Sequence, residues 1–303
     1  MKIIAPASSL EDISEYKKLG VDEVYLGFKR AKNKWELTNK RNEKNANFLS
    51  LKNIKKIKDL VPTITVSFTL NNSFFNNKQL NQVKKQIHLT KSCVDNYIIA
   101  DPSLINLIQK IAPKKGIILS CIGTCFNSET VKFYERLGVK RIILPRHLNI
   151  NEIETLVKNN PDFCFEVFIL NQFCRNVDGF CSRCHIPNGE HQLSNCYVPF
   201  SSKVLNLKKG NQKTELVHKN ISSILTNFKP ECGICFLKKL EEIGIKGVKI
   251  VGRDHDSKRK FLDAKLIKDV LELSELNEET FENKCKALFI ERFGIDCKNN
   301  CYY

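Results

Sequence analysis

Gly-Val-Asp-Glu-Val-Tyr-Leu-Gly at residues 20–27 is the stretch that decides the fold. A glycine ends the preceding helical segment, a short polar turn follows, and the next residues form a buried strand. The same order recurs as Gly-Val-Lys-Arg-Ile-Ile-Leu-Pro at 138–145 and as Gly-Ile-Lys-Gly-Val-Lys-Ile-Val-Gly at 244–252. Each copy is typical of the passage from a helix into the next strand of a β/α unit.

Eight short apolar segments of this kind recur along the chain. Most are continuous runs of Ile and Val, which favours parallel strands that are covered on both faces. The predicted strands are Lys2–Ala5, Glu23–Leu26, Thr63–Phe68, Tyr97–Ala100, Ile117–Ser120, Arg141–Leu144, Phe165–Leu170 and Val248–Val251. Helical spacing lies between them, for example in Leu10–Leu19, Asn127–Leu137 and Phe236–Ile243.

Eight β/α units predict an α/β fold, a (β/α)8 TIM-like barrel that forms a single domain over residues 1–303. An open doubly wound sheet is the alternative. Residues 171–246 separate the seventh and eighth strands and predict a long cysteine-rich insertion at the face where barrel active sites lie. A cysteine-containing tail is expected at 285–303.

Composition narrows the class of protein. Hydrophobic residues make up 42% of the chain, enough for a large core, which excludes general disorder. No apolar run reaches the roughly 18 residues of a membrane span, and the start of the chain does not read as a signal peptide, so we expect a cytoplasmic protein. The 49 Lys and Arg against 33 Asp and Glu give a net charge of +16, which attracts polyanions such as RNA, although an A/T-rich genome accounts for much of the Lys content.

The 13 cysteines indicate a metal or iron–sulfur site in a reduced protein. Thiolates are soft ligands that suit both zinc and iron–sulfur clusters. The Cys-x-x-Cys pairs at 181–184 and 232–235 could also form a zinc ribbon, so zinc remains an alternative, as do buried free thiols.

Several motifs together resemble peptidase family U32, in order and over nearly the whole chain. Ile-Ala-Pro-Ala-Ser-Ser-Leu at 4–10, followed by residues 20–27, is similar to the opening of the family's sequences. Ile-Ala-Asp-Pro at 99–102 and Leu-Pro-Arg-His-Leu-Asn at 144–149 are similar to the central motifs. The last two barrel units of the family are similar to two further segments. These are Glu-Val-Phe-Ile at 166–169, which runs into the cysteine segment, and Lys-Ile-Val-Gly-Arg at 249–253.

The resemblance implies an oxygen-independent hydroxylase that carries a [4Fe–4S] cluster, with prephenate as the oxygen donor in several members. It places the four cluster ligands on Cys174, Cys181, Cys196 and Cys232. This chain departs from the family by adding further cysteines, which could replace a ligand or form a second metal site. These are Cys184, Cys235, Cys297 and Cys301, and a disulfide between the last two is an alternative.

Cations at the ends of predicted strands are candidates for substrate binding. Arg253 and Arg146 could hold a small acidic co-substrate, because guanidinium groups bind carboxylates bidentately. His147 could move protons near neutral pH. Lys249 is a weaker candidate whose side chain could point to a neighbouring helix. The basic stretch Lys203–Lys213 is a candidate for phosphate contact.

We therefore expect an iron–sulfur-dependent, oxygen-independent hydroxylase acting on an RNA base or a small aromatic substrate, alone or with a homologous partner subunit. Two other functions remain open: a hydrolase, as the family label says, and a zinc-stabilised, non-catalytic partner subunit. No phosphate-binding glycine loop, nucleophile motif or zinc-protease helix is recognisable in the sequence.

Overall fold

Eight parallel strands close into a barrel, so the predicted (β/α)8 architecture is confirmed. A computed structural model describes residues 1–28, 50–172, 174, 177–180, 231–297 and 301–303. The strands are β1 Lys2–Pro6, β2 Glu23–Leu26, β3 Thr65–Leu70, β4 Asn96–Ile99, β5 Gly116–Leu119, β6 Arg141–Ile143, β7 Cys164–Leu170 and β8 Gly247–Ile250. β1 pairs with both β2 and β8, which excludes an open sheet.

Helices on the outside of the barrel separate the strands. They are α1 Leu10–Leu19, α2 Leu51–Leu60, α3 Asn77–Thr90, α4 Ser103–Ile111, α5 Ser128–Arg136, α6 Ile150–Asn159, α7 Leu237–Glu242, α8 Ser257–Leu271 and α9 Glu278–Phe293. Local sequence sets several helix starts: Ser9 and Asn149 each form a capping box with the residue three positions later. In the described part of the chain, no helix has the length and apolar character needed to cross a bilayer.

Side chains from alternating strand positions fill the barrel in layers. Near the amino ends of the strands, Arg141 donates to both carboxylate oxygens of Glu23 at 2.7 Å and forms an ion pair with Glu166 at 2.8 Å. Burial disfavours the charged arginine, but the two carboxylates outweigh it and raise the pKa of Arg141. Above this ionic layer lie Ile98, Ile118 and other apolar side chains of the interior cluster. The ionic layer therefore closes the amino end of the barrel, and the other end carries the candidate site.

Candidate active site at the barrel mouth

Lys249 lies deep in the barrel and points inward, not towards a surrounding helix. Its ammonium group is 3.8 Å from the centre of the Tyr25 ring, and within the described residues it has no hydrogen-bond acceptor. Burial lowers the pKa of Lys249 to about 8, although the Glu166 carboxylate opposes this shift. A lysine in this environment can change its protonation state within the physiological range, unlike an exposed lysine.

Arg253 lies higher, beyond the end of β8, and its side chain turns back over the barrel. Its guanidinium donates to the hydroxyl of Thr69 at 2.9 Å and is 5.9 Å from the Tyr25 ring centre. The turn that directs it depends on Gly252, whose φ of +131° is rarely adopted by residues with a Cβ. Arg253 thus contacts a neutral hydroxyl at the carboxyl end of the strands, here called the barrel mouth.

Arg146 is held by a carboxylate of the chain itself. Its Nη2 and Nε donate to the two oxygens of Asp178 at 2.6 and 3.1 Å, and its Nη1 donates to the carbonyl of Gln172 at 2.6 Å. Burial opposes ionisation of Asp178, but the adjacent guanidinium outweighs it and lowers the pKa of that carboxyl. The charge of Arg146 is therefore matched within the structure, and its immediate effect is to anchor the start of the insertion.

His147 contacts the same segment. Its Nε2 lies 3.0 Å from the carbonyl oxygen of Cys174, and its Nδ1 lies 4.0 Å from Asp178 Oδ2. Both ring nitrogens thus face the residues that follow β7, so His147 supports the backbone that presents Cys174.

Three buried thiols lie near the mouth. Cys121 belongs to the apolar cluster of the barrel interior, and Cys174 is close enough for a charge on it to raise the pKa of Cys121, after the larger effect of burial. Cys232 forms an antiparallel bridge with Leu170, the last residue of β7. Cys174 is only four residues beyond Leu170, a span of at most about 14 Å of extended chain. Cys174 and Cys232 therefore both lie near the end of the same strand.

The remaining predicted ligands divide into two groups. Cys181, Cys184 and Cys196 lie outside the described residues, as does the basic stretch Lys203–Lys213. The other cysteines named as extras, Cys235, Cys297 and Cys301, are described and lie together with Cys232 around one small cavity. None of the described cysteines is in a disulfide, so Cys297 and Cys301 are not joined to each other.

The end of the chain enters the mouth. Tyr302 and Tyr303 are held by backbone carbonyls of β7 and the segment after it: Tyr302 Oη donates to Asn171 and Gln172, and Tyr303 Oη donates to Phe168 at 2.6 Å. The amide of Tyr302 donates to the carbonyl of Cys232 at 3.0 Å. Because Tyr302 belongs to the interior cluster, it forms part of the wall of the site.

Sequence reasoning missed two contributors. Asp178 precedes a glycine and reads as an ordinary turn residue, and its partner Arg146 is 32 positions away. Cys285 lies within α9, where a single cysteine at a helical position resembles a core residue. For Cys285, the further cysteines in the tail were the sequence feature that could have indicated a role.

The fold and the mouth define a class of protein: a (β/α)8 barrel whose cations and thiols collect at the carboxyl ends of its strands, where barrel enzymes carry their active sites. Within that class, the chain belongs to peptidase family U32, whose sequence pattern matches residues 8–294. The resemblance drawn from the motifs is therefore confirmed.

Three curated relatives carry names that refer to tRNA. The tRNA hydroxylation protein P of Escherichia coli (strain K12) is 29% identical over 180 residues, which cover 59% of this chain and 38% of that protein. The protein of the same name from Haemophilus influenzae is 30% identical with the same coverage. The tRNA hydroxylation protein P2 of Bacillus subtilis is 23% identical over 235 residues, 73% of this chain and 72% of that protein. The match thus spans well under half of the first two proteins.

A solved structure shares the fold. The U32 peptidase Mk0906 superposes with a TM-score of 0.51 at 12% identity, covering 83% of this chain and 92% of that one. At this level of identity, the likeness concerns the barrel alone.

Proposed function

We propose that this chain takes part in hydroxylating a tRNA base, as an iron–sulfur-dependent and oxygen-independent enzyme with its reaction centre at the barrel mouth. The observation that carries the proposal is the name shared by relatives from E. coli, H. influenzae and B. subtilis, all of which act in tRNA hydroxylation. Membership of the same family makes the corresponding end of this barrel the natural place for the reaction.

The charge of the chain supports an RNA substrate. A net charge of +16 favours association with a polyanionic backbone, even though an A/T-rich genome accounts for part of it. A nucleobase must leave its stack before it reaches a buried reaction centre. We therefore place the tRNA over the mouth, with one base entering between the strand ends.

Hydroxylation inserts one oxygen atom into a C–H bond and removes two electrons from the base. Without dioxygen, a co-substrate must supply the oxygen atom and accept those two electrons. A hydroxyl-bearing carboxylic acid such as prephenate meets this need when its C–O bond breaks: the oxygen passes to the base, and the hydrogen and two electrons of the base pass to the carbon that held it. Its carboxylate requires a cation at the site. Arg253 is best suited to that role, because it faces the mouth and its contact with Thr69 leaves it in a fixed orientation. Lys249 adds positive charge beneath it when protonated. Arg146, by contrast, acts by holding Asp178 and the segment that carries Cys174.

The thiols at the mouth suit an iron–sulfur cluster by their chemistry. Cys174 and Cys232 are buried, neither is in a disulfide, and both lie close to the end of β7. With Cys181 and Cys196 they complete the four-thiolate ligand set that we propose for a [4Fe–4S] cluster. Such a cluster supplies one-electron transfer when bound. The chain's own contribution is to keep water from the ligands, through the burial of Cys174 and the packing of Tyr302 beside Cys232.

The proposal is tested in a strain that lacks the gene. Nucleosides from digested tRNA are compared by mass spectrometry between the deletion strain and strains complemented with wild type, Cys174→Ser, Cys232→Ser or Cys93→Ser. We expect a nucleoside heavier by one oxygen atom to disappear in the deletion strain and to return with wild type and Cys93→Ser alone. Cys93 is the matched control because it is a buried free cysteine near the amino ends of the strands.

Two results would reject the proposal. Identical tRNA nucleosides in the deletion and parent strains would exclude tRNA as the substrate. Full complementation by both Cys174→Ser and Cys232→Ser would exclude the proposed cluster ligands.

A further inference from the structure

Five of the described cysteines surround one cavity on the outer side of the barrel wall. We call it the thiol pocket; it is lined by Cys232, Cys235, Cys285, Cys297 and Cys301, together with Ile234, Phe236, Lys286 and Phe289. Its volume is about 20 Å³, and it is mostly closed by these side chains. Cys285 and Cys232 are buried, Cys235 and Cys297 are half-buried, and Cys301 is exposed. The pocket is therefore reachable from solvent at one edge.

The thiols come from three separate parts of the chain. Cys232 and Cys235 lie at the turn before α7, Cys285 lies on α9, and the other two lie in the tail after Gly294 ends that helix. Backbone contacts fasten the parts together, since Cys232 bridges to Cys301. Side-chain contacts do the same, since the Cys285 thiol faces the Ile234 carbonyl at 3.9 Å and hydrogen-bonds to Cys235. Folding alone thus brings distant cysteines to one place.

The size of the cavity limits what it can hold. A volume of about 20 Å³ accommodates one water-sized occupant, hence a single ion, whereas a four-iron cube would require the walls to move apart. Thiolates favour zinc over magnesium or calcium, and a closed set of four is the usual arrangement of a structural zinc site. Lys286 at the edge of the pocket partly offsets the negative charge of such a set, although it also pairs with Glu282.

The thiols of the pocket are oriented by backbone groups. No three His, Cys, Asp or Glu side chains among the described residues already surround a common point as ligands. The Cys285 thiol instead points to a carbonyl, and the Cys232 sulfur accepts from the Ile234 amide at 3.5 Å. Loss of the thiol protons on metal binding removes the first of these contacts, and the other staggered χ1 positions of cysteine then offer the sulfur a different direction.

We propose that Cys235, Cys285, Cys297 and Cys301 bind one zinc-type divalent ion that fastens the tail to the barrel. This site shares no ligand with the cluster proposed at the mouth, to which Cys232 is assigned although it also lines the thiol pocket. Because Tyr302 and Tyr303 follow Cys301 directly and line the mouth, the ion fixes the position of part of the active-site wall.

Metal analysis of the full chain tests this proposal. Wild type and the variants Cys285→Ser, Cys297→Ser, Cys174→Ser and Cys93→Ser are purified anaerobically from zinc-supplemented medium, and zinc and iron are measured separately. We expect about one zinc per wild-type chain and at least about a tenfold loss in Cys285→Ser and Cys297→Ser. Cys93→Ser keeps its zinc. Cobalt added to metal-free wild type is expected to give a thiolate-to-cobalt charge-transfer band that both pocket variants lack.

The two metals separate this proposal from the proposed function. Iron lost from Cys174→Ser with zinc retained supports two sites, and zinc present without any iron in wild type would reject the cluster but not the thiol pocket. Cys297→Ser controls for misfolding, because Cys297 is only half-buried in the tail. The circular dichroism spectrum of this variant is expected to match that of wild type. The proposal is overturned by wild type without zinc, by zinc retained in both pocket variants, or by one metal lost from all the mouth and pocket variants together.

Discussion

Arg146 and Asp178, which lie 32 positions apart in sequence, form a buried ion pair with two hydrogen bonds of 2.6 and 3.1 Å between their side chains. Asp178 also accepts from the backbone amide of Arg146 at 2.9 Å. The carboxylate thus ties the loop after β6 to the insertion after β7. The pair is therefore one fixed point of the cysteine segment.

Asp178→Asn is expected to destabilise the fold strongly, because it leaves the Arg146 guanidinium buried without its counter-charge. Breaking a buried pair in this way costs about 3–5 kcal/mol. The matched control is Glu129→Gln, which removes an exposed pair with Lys132 and should leave the free energy of unfolding nearly unchanged. Urea unfolding of the two variants gives the comparison, and equal free energies of unfolding would show that the Arg146 pair does not hold the fold.

The buried position of Lys249 predicts that the free energy of unfolding depends on pH in the alkaline range. Burial lowers its pKa to about 8, below the value of about 10.4 in an unfolded chain, so the unfolded state binds more protons between these values. The contribution of Lys249 to stability therefore rises with pH through this window. Between pH 7 and 9.5 wild type should gain roughly 2 kcal/mol relative to Lys249→Met.

Chemical unfolding at several pH values measures this difference. Lys238→Met serves as the control, since Lys238 lies outside the barrel interior, where it donates to the carbonyl of Leu276 from a partly buried position on α7. A difference between wild type and Lys249→Met that does not vary with pH would mean that Lys249 has an ordinary pKa in the folded protein.

Gly252→Ala is expected to cost at least about 3 kcal/mol, against about 1 kcal/mol for Gly20→Ala. Both glycines have positive φ, but a Cβ at Gly252 would lie 2.3 Å from His255 Nδ1, whereas one at Gly20 would meet nothing within 4 Å. Thermal unfolding of the two variants separates the effects, because Gly20→Ala introduces backbone strain alone and Gly252→Ala introduces strain together with a clash. A Gly252→Ala variant as stable as Gly20→Ala would show that His255 moves aside freely.

Arg253→Gln is expected to weaken binding of the acidic co-substrate at least about tenfold, because the bidentate cation is lost while its volume is nearly kept. Arg253→Lys should recover only part of that affinity. Isothermal titration with prephenate on anaerobic protein gives the dissociation constants, and Arg136→Gln on the outer helix α5 is the control. Unchanged affinity in Arg253→Gln would assign the carboxylate to another cation.

The repeated Gly-turn-strand pattern predicted the barrel closely. Glu23–Leu26 has the predicted bounds, and the other seven strands begin and end within two residues of those expected. Glycine stops and continuous Ile and Val runs are local signals, so they are legible in a single sequence. The resemblance to family U32 followed from motifs that are themselves these strand ends.

The site was less accessible to sequence reasoning because its contacts are non-local. The pairing of Arg146 with Asp178, and the meeting of Cys285 with the tail, depend on how separate segments fold back on the barrel. Lys249 illustrates the same limit: its direction depends on a one-residue choice of register in β8, which a short apolar run leaves undefined. The roles of Arg253, Arg146 and His147, and the cluster ligands, stay predictions.

The ionic layer of Glu23, Arg141 and Glu166 joins the second, sixth and seventh of the eight strands, and β2 lies across the barrel from β6 and β7. A fragment that stops before β6 would bury the Glu23 carboxylate with no cation to receive it. Half-barrels cut from this chain are therefore poor folding units, and loss of native structure should occur in a single concerted step.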